Sequence, residues 1–295
     1  MLPRKENEPF SLGPEDAEKA CLIIHGFTGI AGEVRGLGES LAIRGIRTLG
    51  IALAGHSGDP EDLARSTRKD WIASTEEGLA ELARHKEVFV AGLSMGGVLA
   101  LLLAANHPER IAGVIAMSTP TRFARSWMVG MARPFMKWLY PYKPLDLRNP
   151  KIQQIYLNSL NWHTENPSID FSDPLVVAEI KSTRLSIPAL HELAQLLDIC
   201  RASLNHVYCP LLVIHSKSDK TVNAACAHEL MKLAVNAQPR TLRWLEESDH
   251  VITLGPEREE VFVLSREFID SPLVSPAMWD VQAQAVTSSG DQAGA

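Results

Sequence analysis

The run Val88 to Leu99, Val-Phe-Val-Ala-Gly-Leu-Ser-Met-Gly-Gly-Val-Leu, constrains this chain more than any other stretch. It reads as an apolar strand, a Gly-x-Ser-x-Gly turn and an apolar helix. A serine held on such a turn folds back into neither element, so its hydroxyl projects into open space. The small residues Gly92 and Gly96 let strand and helix approach closely. The unpaired amides that open the helix lie beside the serine, where they can receive negative charge. Ser94 is therefore the candidate nucleophile. The plainer reading is a glycine-rich turn that only packs a helix onto a sheet.

Strand and helix patterns alternate up to about residue 120. Residues 20–25 read as a buried strand. Val34, Leu37 and Leu41 recur at helical spacing up to Gly45, and residues 46–53 form the next strand. Asp70 is the expected cap of a helix that buries Trp71, Leu79 and Leu82. Strand 88–93, helix 96–107 and strand 111–117 follow. Such alternation implies a mostly parallel sheet with helices on both faces. Between Pro120 and about residue 206 the rhythm gives way to scattered prolines and helical patterns with no convincing strand. It resumes at 211–215 and 241–245 and ends in a helix over 257–269 burying Val261, Ser265, Phe268 and Ile269. The expected division is an α/β core of residues 1–120 and 207–270, a helical cap insertion of 121–206, and a disordered tail of 271–295.

A serine nucleophile needs a base, an orienting acid and an oxyanion hole. His250 lies in the polar loop Glu247-Ser-Asp-His-Val251 after the last strand, where it can reach over the sheet edge. His215 lies inside a strand and reads as packed. His85, His107, His163, His191, His206 and His228 sit in helices or loops offering no such approach. Asp219 follows strand 211–215 and is the candidate acid. Asp249 is too close to His250 in sequence to orient its ring well. The order Ser94, Asp219, His250 is that of α/β-hydrolases. One oxyanion donor is the amide of Met95. The other is the amide of Phe27, in the tight loop His25-Gly-Phe-Thr-Gly29.

These residues carry a resemblance. Residues 20–39, 88–107 and 207–269 resemble the α/β-hydrolase superfamily, and within it the bacterial carboxylesterase and monoacylglycerol lipase family. The carriers are His25-Gly-Phe-Thr-Gly29, Gly92-Leu-Ser-Met-Gly-Gly97, Asp219 and His250-Val-Ile-Thr253, with Val34-Arg-Gly-Leu-Gly38 fitting the segment after the first motif. The resemblance implies an α/β-hydrolase fold, a cap over the active site, no cofactor, and hydrolysis of carboxylic esters with short to medium acyl chains, monoacylglycerols among them. Two departures matter. The insertion is longer than in small members, so the acyl pocket does not carry over. Asp249 stands where a glycine often precedes the histidine, which bears on the base's hydrogen bonding. A thioesterase, acyltransferase or amide hydrolase would use the same triad, and a non-catalytic binding protein could share the fold. An aspartate nucleophile is disfavoured by the serine at 94.

Other signals bound the answer. The net charge of −6 disfavours a nucleic-acid partner. The longest apolar run, Val98 to Ala105, is too short to span a bilayer. The first residues carry no apolar signal segment, and Cys21, Cys200, Cys209 and Cys226 form no metal-like cluster, which together point to a cytoplasmic protein without a metal site. His191-Glu-Leu-Ala-Gln195 lacks the second histidine of a zinc helix. His56 reads as a residue that steadies its own loop. The apolar stripe Trp127, Met128, Met131, Phe135, Met136, Trp138 and Tyr140 reads first as the insertion's own core. Its functional reading is an acyl-chain lining, which makes Trp127 and Met131 substrate-binding candidates beside Gly26, Phe27 and Met95.

Overall fold

The computed structural model describes residues 7–123, 126–159 and 169–271. In chain order its elements are β1 (Phe10–Leu12), β2 (Lys19–Ile24), α1 (Arg35–Ala42), β3 (Arg47–Ile51), α2 (Pro60–Arg65), α3 (Arg68–Glu81), β4 (Glu87–Leu93), α4 (Met95–Asn106) and β5 (Ile111–Met117). Then come α5 (Ser126–Ala132), β6 (Trp138–Leu139), α6 (Pro150–Ser159), α7 (Pro174–Ser182), β7 (Leu185–Ser186) and α8 (Ile187–Ser203). The chain closes with β8 (Leu211–Ser216), α9 (Ala225–Leu233), β9 (Arg240–Leu245) and α10 (Arg258–Asp270).

Seven strands form one sheet in the order β1-β3-β2-β4-β5-β8-β9. All neighbours are parallel except the edge strand β1, which runs antiparallel to β3. Period-two alternation explains why both faces are covered. Along β2, Ala20, Leu22 and Ile24 point into one buried cluster and Cys21 and Ile23 into the other; along β4, Val88 and Val90 oppose Phe89, Ala91 and Leu93. The first cluster is closed by Trp71 and Leu79 of α3, the apolar α4, and Ala227 and Leu230 of α9. The second is closed by Leu37 and Leu41 of α1 and Val261 and Ile269 of α10.

The register sets the position of the site. Ile24 pairs with Gly92, Leu93 with Met117, Met117 with Ile214, and Ser216 with Leu245. The carboxyl ends of five parallel strands therefore stop at one edge, the side where open α/β sheets bind ligands.

Several expectations need correcting. Asp70 is not the cap of α3. Thr67 is, and Asp70 stands three residues on, its carboxylate accepting from the Thr67 amide at 2.8 Å. In α10 the buried aromatic is Phe262, while Phe268 is only partly buried against Phe89. The segment after residue 120 contains a two-stranded antiparallel ribbon, β6 with β7, too short to leave a period in the sequence. Nor does the 127–140 stripe form that segment's core. Trp127, Met131 and Phe135 are 65%, 66% and 87% exposed, and a small separate core is built instead by Leu147, Tyr156 and Ile180. Helix α8 packs its Ala189, Leu193, Leu196 and Leu197 into the first sheet cluster. The tail expected to be disordered lies, beyond residue 271, outside the described residues.

Candidate active site

Ser94 is the single residue between β4 and α4, and it takes φ 55°, ψ −117°. A non-glycine residue in that region is strained and persists only where its surroundings hold it. Here the Ser94 amide donates to the Met117 carbonyl at 2.8 Å, and the Ser94 carbonyl accepts from Gly97 at 2.9 Å. A Cβ at Gly96 would collide with the Ile24 carbonyl, and one at Gly92 with the Gly96 carbonyl. The two glycines are thus required by backbone contact, and the serine side chain is forced outward.

His250 and Asp219 meet this hydroxyl. Asp219 Oδ2 lies 2.9 Å from His250 Nδ1, and His250 Nε2 lies 2.9 Å from Ser94 Oγ. A carboxylate only accepts, so Nδ1 carries the imidazole proton and the bare Nε2 accepts from the serine hydroxyl. Asp219 is fully buried, and its other oxygen accepts from the Thr221 and Val222 amides at 2.8 Å each. Burial pushes the Asp219 carboxyl up, but the hydrogen bond and charge of His250 and these two amides outweigh it, so the net direction is down. The residue is ionised at neutral pH and orients the ring.

Asp249 does not compete for that ring. Its Oδ1 accepts from the amides of His250 at 2.8 Å and Lys220 at 3.0 Å, so it ties the base loop to the acid loop. Glu257, at the start of α10, accepts from the amides of Glu246, Glu247 and Ser248 and from the Ser248 hydroxyl at 2.7–3.0 Å. That carboxylate shapes the turn leading into His250. It escaped the sequence reading because a glutamate in a helix's first turn is ordinary; only its reach back to residues 246–248 reveals the role.

The loop after β2 lies against the nucleophile: a Cβ on Gly26 would sit 3.3 Å from Ser94 Cβ. His25 fixes the loop's orientation. The Leu53 amide donates to its Nε2 at 3.1 Å, so Nδ1 bears the proton and donates to the Gly26 carbonyl at 2.9 Å. Burial, with His56 close by, pushes the His25 imidazole down to about 3, so it stays neutral. The Gly26 carbonyl also accepts from Gly29 at 3.1 Å. Across a trans peptide the C=O and following N–H point in opposite directions, so the Phe27 amide faces away from His25. Among the described residues neither this amide nor that of Met95 donates to a backbone carbonyl. The Phe27 ring packs edge-on against Trp71 and His56.

Ser94, Asp219, His250, Gly26, Phe27 and Met95 thus gather at one edge of the sheet. Trp127 and Met131 are exposed on α5, which packs on α8 with Gly130 beside His191. Three other histidines are engaged elsewhere: His107 with Glu76 at 2.8 Å, His85 with the Ala17 carbonyl at 2.7 Å, and His228 against Trp244. His163 lies outside the described residues.

The sequence pattern of the family described as "Serine aminopeptidase, S33" matches residues 15–257. The chain is 29% identical to the thermostable monoacylglycerol lipase of Bacillus sp. (strain H-257), over 88% of this chain and 93% of that one. It is 28% identical to a carboxylesterase of Bacillus subtilis (strain 168), over 89% and 96% of the two chains. A solved structure from work on the metagenome-derived lipolytic enzymes LipS and LipT superimposes with a TM-score of 0.72 at 25% identity, covering 89% of this chain and 97% of that one. Such a match, on a parallel sheet with a strained serine at the β4–α4 turn, means that this chain belongs to the serine aminopeptidase S33 family of α/β-hydrolases.

Proposed function

We propose that the protein is a serine hydrolase that cleaves carboxylic esters through an acyl-serine intermediate. The observation that carries the catalytic reading is the unbroken series Asp219 Oδ2, His250, Ser94 Oγ, with both links at 2.9 Å. In this reading Ser94 Oγ attacks the ester carbonyl carbon as its proton passes to His250 Nε2. Asp219 holds the ring in the Nδ1–H form and stabilises its positive charge. The amides of Phe27 and Met95 receive the oxyanion; losing one such donor costs about 2.7–4 kcal/mol in the transition state. His250 returns the proton to the leaving alcohol, and water then releases the acid.

The substrate reading is a monoester with an apolar acyl chain, monoacylglycerols included. It is supported by the names of the two similar Bacillus enzymes. Residues 121–206 act as a cap over the mouth of the site in this reading. Trp127 and Met131 on their exposed helix take up the acyl chain, with Gly26, Phe27 and Met95 lining the reacting end. The protein works in the cytoplasm, a placement supported by Cys21, Cys200 and Cys209 as buried, unpaired thiols that burial pushes up to about 12. Among the described residues no helix is long and apolar enough to cross a membrane.

The test is a p-nitrophenyl ester series from acetate to palmitate, run beside an aminoacyl p-nitroanilide and an acyl thioester. The wild type should turn over esters fastest, and Ser94→Ala should lose at least about 10³-fold in kcat. A fluorophosphonate should add mass at Ser94. Equal rates in both proteins refute the nucleophile; a preference for the anilide or thioester refutes the ester reading while leaving the triad standing. Trp127→Ala and Met131→Ala should raise KM for long acyl chains and leave acetate unchanged.

A further inference from the structure

His215 is a buried ionisable group beside the proposed triad that the mechanism above leaves idle. It is the penultimate residue of strand β8, is wholly buried, and stands four residues before Asp219. Its Nε2 faces two acceptors, the Val222 carbonyl at 3.2 Å and Asp219 Oδ2 at 3.5 Å. Facing acceptors on that side, Nε2 carries the proton, and Nδ1 is left bare and without a hydrogen-bond partner. A buried imidazole nitrogen with no partner costs free energy, so a packing residue such as leucine would fill this place more cheaply. Trp244 lies edge-on to the ring at 6.1 Å, and His250 stands beyond the Asp219 carboxylate. Burial holds the His215 imidazole below its ordinary value, so the ring is neutral.

The geometry closes a small circuit. Asp219 Oδ1 holds the Val222 amide, and His215 Nε2 holds the carbonyl of the same residue. Asp219 Oδ2 takes the hydrogen bond of His250 Nδ1 at 2.9 Å and lies 3.5 Å from His215 Nε2, too far for a second one. An ionised carboxylate offers about four acceptor directions. Two amides and His250 take three of them, and the His215 Nε2–H goes to the Val222 carbonyl instead. Those three donors oppose rotation of the carboxylate away from His250, and His215 holds the residue that supplies one of them.

We propose that His215 is a positioning residue for the reaction: its Nε2–H fixes the 219–222 loop and, through it, the rotamer of the Asp219 carboxylate that orients His250. This rests on the triad reading given above. The role belongs to Nε2 alone, and that makes it separable from plain core packing. A glutamine's amide nitrogen reaches the place of Nε2, whereas an asparagine's reaches only that of Nδ1. Both are polar and both are smaller than the ring, so their structural costs are similar.

The experiment compares His215→Gln, His215→Asn and His215→Leu on a p-nitrophenyl butyrate substrate, with thermal midpoints measured alongside, and combines His215→Asn with Asp219→Asn. Expected are near wild-type kcat for Gln, a fall of about tenfold in kcat with unchanged KM for Asn and Leu, equivalent to one hydrogen bond near a charged group, and no further loss when Asn is added to Asp219→Asn. Wild-type kcat in the Asn variant overturns the proposal. So do equal losses in Gln and Asn that follow the thermal midpoint, or additive losses in the double variant. If Asp219→Asn by itself leaves kcat intact, the triad reading fails instead. If Asp219→Asn cripples the enzyme while His215→Asn does not, only the present inference fails.

Discussion

Ser94 shows how one residue's backbone carries a function. Its positive φ is held by the Met117 carbonyl and by glycines on either side, because any Cβ at 92 or 96 would strike backbone rather than a movable side chain. Asp219 is a second residue whose surroundings decide its chemistry. It stays ionised while fully buried because donors meet both its oxygens. The isosteric change Asp219→Asn removes the charge and offers an N–H where Nδ1–H of His250 needs an acceptor, which favours the wrong tautomer. A loss of about 10⁴-fold in kcat with little change in stability is expected, read from ester kinetics and a thermal melt. Retained activity would place the orienting acid elsewhere. Ser94, Asp219 and His250 were legible in the sequence because each lies in the turn or loop after a strand, so its place near the sheet edge is set by local spacing. His25, Glu257 and His215 were not, since their roles lie in which backbone group each ring nitrogen or oxygen meets.

At the scale of the element, helix α3 matters because it carries Trp71, which is wholly buried and backs the ring of Phe27 in the loop after β2. The start of α3 is fixed by the reciprocal arrangement of Thr67 and Asp70, with the Asp70 carboxylate accepting from the Thr67 amide and hydroxyl at 2.8 Å. These hydrogen bonds draw the Asp70 carboxyl down from its usual value. Asp70→Ala frees two donors at the helix start and should lower stability by roughly 1 kcal/mol, the usual worth of such a cap. Denaturant unfolding at neutral pH measures it, and ester turnover should be unchanged. A sequence pattern locates this helix start to within a few residues, but assigning cap and third residue needs the backbone angles. Helix α10 gives the same lesson. Its period is plain, yet Phe262 rather than Phe268 is buried: Phe262 packs by Gly36 of α1, while the partly buried Phe268 lies by Phe89 and Gly113 of the sheet.

Across the whole molecule, residues 121–206 are tied to the rest by charged groups as well as by α8. Glu61 of α2 meets Lys137 at 2.8 Å and Arg184 at 3.2 Å, and Arg68 of α3 meets Glu192 at 2.5 Å. Where the chain leaves and re-enters, Glu229 of α9 accepts from Thr121, Arg122 and Arg201. The Arg122 guanidinium first, with Thr121 and Arg201, draws the Glu229 carboxyl from 4.5 down to about 2. A carboxylate whose folded value is depressed contributes stability that is fully present above its unfolded value and is lost as pH falls through the folded one. Glu229→Gln should therefore be less stable than the wild type at pH 7, with the difference shrinking below about pH 4.5 and vanishing near pH 2. Urea midpoints across that range test it; a difference independent of pH would assign the loss to packing.

The sequence by itself determined the alternating parallel core, the strained serine turn and the order of the three side chains, because strand periodicity and the residue following each strand are short-range properties. Tertiary structure alone decided which ring nitrogen meets which oxygen, how Glu257 and Asp249 brace the histidine loop, and that Trp127, Met131 and Phe135 face outward. Those outcomes depend on contacts between residues far apart in the chain, and the surface on which each apolar stripe comes to rest is chosen only when all the elements have packed.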